Sequence, residues 1–484
     1  MSIFYILEMT KKLINMNLFK KAVFAALLAT FATMNLYAQS TEPENQPTDY
    51  LTKEFHAGRR QALRDLMPAN SVTAIFAYPE RVFSKDVNYV YHPNPDLYYF
   101  SGYKEPDACL LIFKEMQTDA EGSYNEVMFV RKRDPARESW TGRRLGAEGV
   151  KSKLGFTRVY VSTDFNKFPV DFKKFGEVIS DRLPDDATGD LKPLVAYFKD
   201  KMGTTNTTDF ATFTNTLRGV KTAEELVLLK KSIEISSIAH AEAMRAVTPN
   251  MSEREIEGIM LYVHKKYGAE DEGYPPIVGA GANGVILHYE ENNSTKVGDQ
   301  LVLADVGAEY HGYSADVTRT YPANGKFTEE QKAIYQIVYD AQEEVFKVCK
   351  DGLTSAGMGT KASEVLAAGL IKLGIIKDAT ELRKYYAHGV SHQLGLDVHD
   401  KGSIRGGNLK AGMVVTVEPG IYIPAGSPCD KKWWNIGVRI EDDVLVSKDG
   451  GIVLSTDAPR KWQDVEKTIA EKSIFDVAKL PALK

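Results

Sequence analysis

Residues 301–320 read LVLADVGAEYHGYSADVTRT. Two runs of apolar and β-branched residues flank a short polar centre, a pattern that predicts a β-hairpin. Each run carries one carboxylate, Asp305 in the first and Asp316 in the second. With the turn centred between Tyr310 and His311, the two aspartates lie directly opposite each other, with Cβ atoms about 5 Å apart. Carboxylates this close repel each other unless one is protonated or a cation lies between them. An ordinary pair of surface carboxylates would show the same spacing in the sequence, so that alternative stays open.

Two further acids occupy strand-like runs in the second half of the chain. Glu418 follows the run MVVTV (413–417), and Glu441 ends the run GVRIE (437–441). An acid in an apolar strand is costly to bury unless a partner compensates its charge. Period-two alternation places Arg439 and Glu441 on the same face of their strand, so Arg439 is one candidate partner and a cation is another.

Histidines form the third part of the pattern. Nine are present, and three lie close together at positions 388, 392 and 399 of HGVSHQLGLDVHD (388–400). Gly389 and Gly395 favour irregular backbone there, so this is not a helical zinc-binding pair. Four carboxylates and one imidazole form an oxygen-rich ligand set whose charge matches two divalent cations bridged by hydroxide. Such a set favours manganese, with zinc and cobalt as alternatives.

A glycine-rich segment, GAGANG (279–284), has the spacing of a dinucleotide-binding loop. The β-like run VILHY follows it instead of a helix, so nucleotide binding is not predicted. The glycines are interpreted as a loop that presents His288. His240 and His264 lie in helical segments and are interpreted as ordinary surface or hydrogen-bonded histidines.

The order of elements predicts two domains. Residues from about 50 to 210 mix short strands with helices, which indicates an α/β domain, and a Thr- and Asn-rich stretch at 201–215 is predicted to be a linker or exposed loop. Beyond it, three capping boxes mark helix starts and three glycines mark helix ends: Thr222, Ser252, Thr328, and Gly268, Gly352, Gly374. Two helices and a hairpin (300–322) are followed by two helices and β segments (412–446). A duplicated α+β domain is therefore predicted, with its site between the halves.

Composition excludes several classes of protein. The length of 484 residues allows two or three domains, and 43% apolar with 26% charged residues is typical of a soluble globular chain. The net charge of −5 includes no basic excess, so no nucleic-acid partner is expected. The three cysteines lie far apart in sequence, which indicates neither a disulfide scaffold nor a zinc ribbon.

The amino terminus resembles a secretory signal. A basic pair precedes an apolar run at 22–33, and Ala38 supplies a small residue for cleavage. Residues 1–38 are therefore predicted to be a signal peptide, with translation starting either at the first residue or at Met16. We expect an exported protein, periplasmic or secreted, without stable membrane association after cleavage; an uncleaved membrane anchor is the alternative.

Taken together, the motifs resemble the pita-bread metallopeptidases and, within them, the aminopeptidase P branch. The matching stretches are IVGAGANGVILHY (277–289), DVGAEYHGYSADVTRT (305–320), HGVSH (388–392), VEPG (417–420) and RIED (439–442). Looser matches to the amino-terminal domain of that branch are NPDLYYFSGY (94–103) and WTGRRLG (140–146). The resemblance implies a creatinase-like α/β amino-terminal domain at 39–215, an α+β pita-bread catalytic domain with a pseudo-twofold repeat at 216–465, and a carboxy-terminal tail at 466–484.

The resemblance also implies a metal centre. Its implied ligands are Asp305, Asp316, His392, Glu418 and Glu441. Asp316 and Glu441 would bridge two divalent ions, Asp305 would complete the first site, and His392 and Glu418 would complete the second. Arg439 would orient Glu441 and Asp316 from behind them.

The activity implied by the resemblance is removal of the amino-terminal residue from peptides with proline in the second position. A hydroxide that bridges the metals would attack the Xaa-Pro amide, with Glu418 as the proton shuttle. His288 and His399 would stabilise the gem-diolate oxygen and position the substrate, and His388 would line the same pocket. The family also implies a homodimer or a homotetramer.

Two alternatives stay open at this point. A prolidase restricted to Xaa-Pro dipeptides would use the same centre, and loop differences of a few residues decide that restriction. A non-catalytic peptide-binding relative would share the fold, although such relatives typically lose metal ligands and none is missing here.

Overall fold

The computed structural model describes residues 46–168, 170–180, 183–184, 186–202, 207–402 and 406–477. The predicted signal at 1–38 lies outside the described residues, and so does the end of the predicted tail. Within the described ranges, no helix combines the length and the apolar character that a membrane crossing needs.

The regular elements alternate between helices and short strands along the chain. The α-helices are α1 (Lys53–Leu66), α2 (Pro95–Ser101), α3 (Pro135–Thr141), α4 (Gly146–Gly149), α5 (Leu191–Met202), α6 (Ala211–Gly219), α7 (Ala223–Ala246), α8 (Glu253–Lys266), α9 (Glu329–Val348), α10 (Ser355–Lys372) and α11 (Trp462–Ile469). The strands are β1 (Ser71–Phe76), β2 (Val82–Ser84), β3 (Val87–Asn88), β4 (Cys109–Asp119), β5 (Gly122–Val130), β6 (Val159–Val161), β7 (Glu177–Ser180), β8 (Thr207–Asp209), β9 (Asp271–Glu272), β10 (Ile277–Ala280), β11 (Leu301–Asp305), β12 (Ala308–Tyr310), β13 (Tyr313–Ser314), β14 (Thr318–Pro322), β15 (Val414–Val417), β16 (Gly420–Ile423), β17 (Ile436–Arg439), β18 (Asp442–Val446) and β19 (Gly451–Val453). Short 3-10 or π-helical turns lie at Val150–Leu154, Ser162–Lys167, Phe172–Lys174, Asn283–Val285, Ala379–Lys384, Lys431–Trp433 and Ile474–Val477.

The described residues divide into two compact units, and the smaller one comprises residues 46–50 and 132–146. Within it, helix α3 begins at the cap Asp134, whose carboxylate accepts a hydrogen bond from the Arg137 amide at 3.2 Å. Asp134 therefore satisfies one of the free amides of the first turn. The larger unit, residues 51–131 and 147–484, carries the sheets and the candidate site.

A six-stranded sheet organises the amino-terminal part of the larger unit, in the order β6-β5-β4-β1-β7-β8. The apolar runs predicted as strands at 72–77 and 108–113 form its antiparallel central pair, β1 and β4. The prediction of a loop at 201–215 is wrong in its second half, because β8 pairs in parallel with β7 and helix α6 follows. Two buried phenylalanines, Phe210 and Phe213, fix that segment, so the predicted domain boundary at 215 falls inside α6.

The carboxy-terminal part contains the same element order twice, as predicted. Helices α7 and α8 precede strands β10–β14, and helices α9 and α10 precede strands β15–β18. Complete capping boxes start α7 and α9, and the predicted terminal glycines Gly268, Gly352 and Gly374 have φ values of 92°, 85° and 70°. One apolar core joins the two repeats and includes Val465 of α11. The predicted tail, which starts at 466, therefore begins inside a packed helix.

The predicted register of the hairpin is wrong, because the turn lies one residue later in the chain than predicted. The turn lies at His311 and Gly312, which have positive φ values of 51° and 88°, so Tyr310 pairs with Tyr313. Positive φ at both central residues is what a tight two-residue hairpin turn requires, and glycine adopts it without strain. In this register Asp305 pairs with Thr318 rather than with Asp316.

His264 is not at the surface and is not hydrogen-bonded, contrary to the prediction. It continues the buried stripe of α8 formed by Ile256 and Met260, and it is fully buried. Neither ring nitrogen has a partner among the described residues. Burial lowers the pKa of His264 to about 4. His240 is also buried, but its Nε2 lies 3.2 Å from the Val306 carbonyl oxygen.

Replacing His264 with methionine is expected to raise the unfolding free energy at pH 7 by about 1–3 kcal/mol, since an unsatisfied buried group is removed. The folded pKa is below the unfolded value of about 6.5, so the unfolded chain binds more protons between about pH 4 and 6.5. The wild-type unfolding free energy therefore carries no protonation penalty from His264 above pH 6.5, and it falls as the pH decreases from 6.5 to about 4. Urea unfolding at several pH values measures this decrease. H264N is the control that retains a buried polar group, and an unchanged pH dependence in H264M would contradict the prediction.

Candidate metal centre

A polar cavity of about 470 Å³ lies where the two repeats meet. Every site residue predicted from the sequence lines it: His288, Asp305, Asp316, His388, His392, His399, Glu418, Arg439 and Glu441. The two repeats meet directly at this cavity, because the Glu441 amide donates to the Thr318 carbonyl at 3.1 Å across an antiparallel bridge. The predicted location of the site between the halves therefore agrees with the structure.

Strand ends supply the four carboxylates. Asp305 is the last residue of β11, and Asp316 lies in the short link between β13 and β14. Glu418 follows β15, and Glu441 lies between β17 and β18. The strands are buried and apolar, so the backbone at their ends has little freedom to move. Each strand end therefore holds its carboxylate at a fixed position in the polar cavity.

Asp316, His392 and Glu441 form the tightest group, with ligand atoms that all lie within 4.8 Å of one another. His392 Nε2 is 3.3 Å from Asp316 Oδ2 and 3.6 Å from Glu418 Oε1. Its Nδ1 lies 3.0 Å from the Gln393 carbonyl oxygen. A protonated Nδ1 that donates to this carbonyl leaves Nε2 as the nitrogen facing the carboxylates.

The charges in this group are not balanced by the protein alone. Burial, together with the negative charges of Asp316, Glu418 and Asp305, holds the pKa of Glu441 well above its usual range. Burial also raises the pKa of Asp305 to about 6, although Arg439 opposes the shift. Clustered buried carboxylates with raised pKa values need a cation to remain ionised. The donor set therefore fits divalent metal ions.

Asp316 and His392 behave as an ion pair at the centre of the cluster. Burial would lower the pKa of His392, but the hydrogen bond and charge of Asp316, with the charge of Glu418, outweigh burial and raise it to about 9. Burial would raise the pKa of Asp316, and the same contact with His392 lowers it below the usual value. A bound divalent ion would compete with this proton for His392 Nε2.

Arg439 donates directly to Asp305 rather than to either of the two predicted carboxylates, Glu441 and Asp316. Its guanidinium donates to Asp305 Oδ2 at 2.6 Å, to Thr318 Oγ1 at 3.1 Å and to the Tyr422 hydroxyl at 2.8 Å. Thr318 in turn donates to Glu441 Oε2 at 2.6 Å. Arg439 therefore contacts Asp305 directly and reaches Glu441 only through Thr318, because the paired strands bring Thr318 between them.

Tyr274 is a site residue that the sequence analysis missed. Its hydroxyl lies 2.5 Å from Asp305 Oδ1 and 2.8 Å from Asp316 Oδ1, so one phenol proton is shared between the two aspartates. Tyr274 precedes two prolines and belongs to no periodic run, so no local pattern marked it. Tyr422 was also missed, although its position in β16, two residues after Gly420, places it in a strand that follows Glu418.

The three other histidines of the cavity differ in their exposure to solvent. His388 is partly buried, with Nδ1 2.7 Å from the Gly389 carbonyl oxygen and 3.3 Å from Glu418 Oε2, and with Nε2 2.9 Å from the Tyr422 hydroxyl. His399 is exposed and packs edge-on against His392 at 4.4 Å between ring centroids. His288 is exposed at the rim, after a 3-10 turn formed by the glycine-rich segment. Both ring nitrogens of His388 have protein partners, whereas His288 and His399 can donate hydrogen bonds to a ligand that enters the cavity.

Comparison with known proteins identifies the class. Residues 227–448 match Metallopeptidase family M24, and residues 56–175 match the Aminopeptidase P, N-terminal domain family. The chain belongs to metallopeptidase family M24, whose members use divalent metal ions. Because the amino-terminal family matches as well, its place within M24 is the aminopeptidase P branch. The resemblance inferred from the motifs is therefore confirmed.

Individual relatives agree with this placement. The chain is 37% identical to the Xaa-Pro aminopeptidase of Escherichia coli K12 over 433 residues, which is 86% of this chain and 97% of that protein. It is 30% identical to human Xaa-Pro aminopeptidase 3, over 88% of each chain. Among solved structures, Proline aminopeptidase P II from Yersinia pestis is 35% identical with a TM-score of 0.79, over 87% of this chain and 100% of that one.

Proposed function

We propose that this chain removes the amino-terminal residue from peptides that have proline in the second position. The observation that carries the proposal is the convergence of four carboxylates and His392 in one cavity, on a chain similar over most of its length to Xaa-Pro aminopeptidases. No predicted metal ligand is missing, which argues against a non-catalytic binding relative. Proline preference is the part of the proposal that comes from the relatives rather than from distances.

The chain's own residues divide the remaining work of hydrolysis. Divalent ions held by the cluster would activate water and polarise the scissile carbonyl. Glu418 is half-buried beside the cluster, so its carboxylate can accept a proton from the attacking water and return it to the departing proline nitrogen. His388 is fixed by the Gly389 carbonyl and the Tyr422 hydroxyl, and its Nδ1 lies 3.3 Å from Glu418 Oε2 in the wall of the pocket. His288 and His399 donate hydrogen bonds to the substrate.

The test compares an Xaa-Pro-Yaa peptide with an Xaa-Pro dipeptide, after chelation and after manganese is restored. Release of the first residue from the longer peptide, only with metal, is the expected result. Cleavage of the dipeptide alone would establish a prolidase instead. Failure to cleave either would leave a peptide-binding relative.

For the native metal we propose manganese. Carboxylate oxygens outnumber nitrogen ligands in the cluster, and oxygen-rich sets suit manganese better than thiolate-seeking ions. Metal analysis of protein purified without added metal, and kcat after reconstitution with manganese, zinc or cobalt, tests this choice. Higher kcat with zinc or cobalt would overturn it.

We also propose that the chain forms a homodimer or homotetramer through an exposed apolar hairpin, β2-β3 with its flanking residues 89–90. Val82, Phe83, Val87, Tyr89 and Val90 are each more than half exposed, from 54% to 85%. An exposed apolar patch of this kind is typical of an interaction surface.

Phe83→Asp is therefore expected to convert the oligomer into monomers, because a charge in an apolar interface is costly to desolvate. Light scattering after size-exclusion chromatography measures the mass. V227D is the matched control, since Val227 is an equally exposed apolar residue on α7 (65%, against 63% for Phe83). A monomeric wild type, or an F83D variant that remains oligomeric, would contradict the proposal.

For localisation we propose export to the periplasm or the medium. The basic pair, apolar run and small residue before position 39 support the proposal. Amino-terminal sequencing of protein recovered from the periplasm or medium is expected to begin after Ala38. Recovery only from the cytoplasm with an intact amino terminus would overturn it.

A further inference from the structure

Beside the metal cavity lies a charge cluster with a buried centre and a partly exposed edge, which the proposed mechanism does not use. It consists of Arg218, Lys221, Lys401, Asp96, Asp397 and Asp400. Arg218 is at its centre, with a side chain only 1% exposed. Its guanidinium donates to Asp96 Oδ1 at 2.7 Å, to Asp397 Oδ2 at 2.7 Å and to Asp400.

The cluster is electrically balanced. Lys221 donates to Asp400 Oδ2 at 3.0 Å, and Lys401 donates to Asp96 Oδ2. Three cations thus face three carboxylates, and each buried charge has a partner, which is the condition under which buried ions are tolerated. Within these six described side chains, no charge lacks an opposite partner. The cluster therefore holds chain segments together rather than binding a ligand.

The segment that it holds carries His399. Residues 395–402 form neither helix nor strand, and Asp397 and Asp400 lie on either side of His399. Asp400 also lines the metal cavity, so the cluster and the cavity share a wall. Gly395 packs over the cluster so closely that a Cβ there would lie 2.0 Å from Asp400 Oδ2.

His399 itself has no hydrogen-bond partner within the described ranges. Its ring contacts the edge of His392 at 4.4 Å between centroids, and nothing else fixes its orientation by a polar bond. The position of the imidazole therefore depends on the backbone of 395–402. That backbone is held by main-chain hydrogen bonds, such as the one from the Asp400 amide to the Gln393 carbonyl at 2.9 Å, and by two acids that both bind Arg218. Asp96, on α2 of the amino-terminal domain, completes the same set.

We infer that Arg218 is a positioning residue for His399, and that the amino-terminal domain contributes to catalysis through Asp96. Arg218 donates to Asp96 through Nη1 and to both Asp397 and Asp400 through Nη2, so one planar guanidinium binds three carboxylates through two nitrogens. The single nitrogen of a lysine ammonium cannot reproduce this arrangement. The kinetic part of this inference rests on the proposed function. Its geometric part, the placement of the His399 ring, does not.

R218K is the primary variant, since it retains the positive charge and removes the fork. We expect kcat/KM on an Xaa-Pro-Yaa peptide to fall about 10²-fold, the effect of displacing a positioned group by about 1 Å. Bound metal should be unchanged, because none of the predicted ligands contacts Arg218. R60K is the matched control: Arg60 is 2% exposed and pairs with Glu126 at 2.9 Å, outside the cavity, so its variant should keep kcat/KM.

A double-mutant cycle separates positioning from general stability. In the H399A background, R218K is expected to cause no further loss of kcat/KM, because both changes act on the same group. Losses that multiply would overturn the inference. D397N is a milder second variant, since the Asp397 carboxylate is 41% exposed, and a smaller loss in the same direction is expected if R218K fails to fold.

A readout independent of activity is the rate at which diethyl pyrocarbonate modifies His399, followed by peptide mass spectrometry on the manganese-loaded protein. The rate should rise several-fold in R218K and D397N and stay unchanged in R60K. An unchanged rate in both variants would overturn the inference. If the wild type cleaves no Xaa-Pro peptide, the proposed function fails, while this rate still decides the role of Arg218.

Discussion

Asp316→Asn is expected to lower kcat/KM by about 10³-fold or more and to reduce the amount of bound metal. Asp316 belongs to the tightest group of ligand atoms and pairs with His392 at 3.3 Å. Metal ions stabilise a hydrolytic transition state by several kcal/mol, and each 1.36 kcal/mol corresponds to a tenfold rate change. Asparagine keeps the shape of the side chain, so the loss reports the missing charge rather than a cavity.

The measurement combines kcat/KM with metal analysis by mass spectrometry and circular dichroism of the same sample. D107N is the matched control: Asp107 is similarly buried, at 7% exposed against 5% for Asp316, and pairs with Arg131 away from the cavity. It should retain metal and activity. In the metal-free D316N protein the pKa of His392 should fall from about 9, because the interaction that raises it most is removed. A D316N variant that binds metal normally and remains active would remove Asp316 from the centre.

The carboxylates of the site could be predicted because burying an acid in an apolar strand costs free energy unless a cation compensates its charge. Asp305, Asp316, Glu418 and Glu441 stand out from their neighbours for that reason. The buried position of His264 could also have been predicted, since it follows Ile256 and Met260 at a spacing of four on α8. The lysines that follow it directed the interpretation toward the surface instead.

Contacts between distant segments could not be predicted from local pattern. The hairpin register depended on which two residues adopt positive φ, and His311 was not marked for it by type alone. Tyr274 reaches Asp316 across 42 positions, and Arg218 reaches Asp96 and Asp400 across 122 and 182 positions. In its own segment of sequence, each of these side chains is indistinguishable from an ordinary polar residue. Only the fold brings them into contact.

Arg439→Met is expected to destabilise the metal-free protein strongly and to make its stability depend more on metal. Arg439 is 4% exposed and donates to Asp305 Oδ2 at 2.6 Å. Removing one partner of a buried ion pair leaves an uncompensated charge and costs about 3–5 kcal/mol. A divalent ion beside Asp305 supplies the missing positive charge, so metal should bind more tightly to R439M than to the wild type. Tighter binding to the folded state means a larger stabilisation at the same metal concentration.

Urea unfolding with and without manganese measures this effect, and the quantity of interest is the difference between the two conditions. We expect that difference to be larger for R439M than for the wild type. R60M is the control, because Arg60 is as deeply buried and pairs with Glu126 instead of a cavity residue. It should lose stability equally with and without metal. Equal losses in R439M would mean that Arg439 stabilises the fold without acting on the charge of the metal site, and Asp305 would then need another source of compensation.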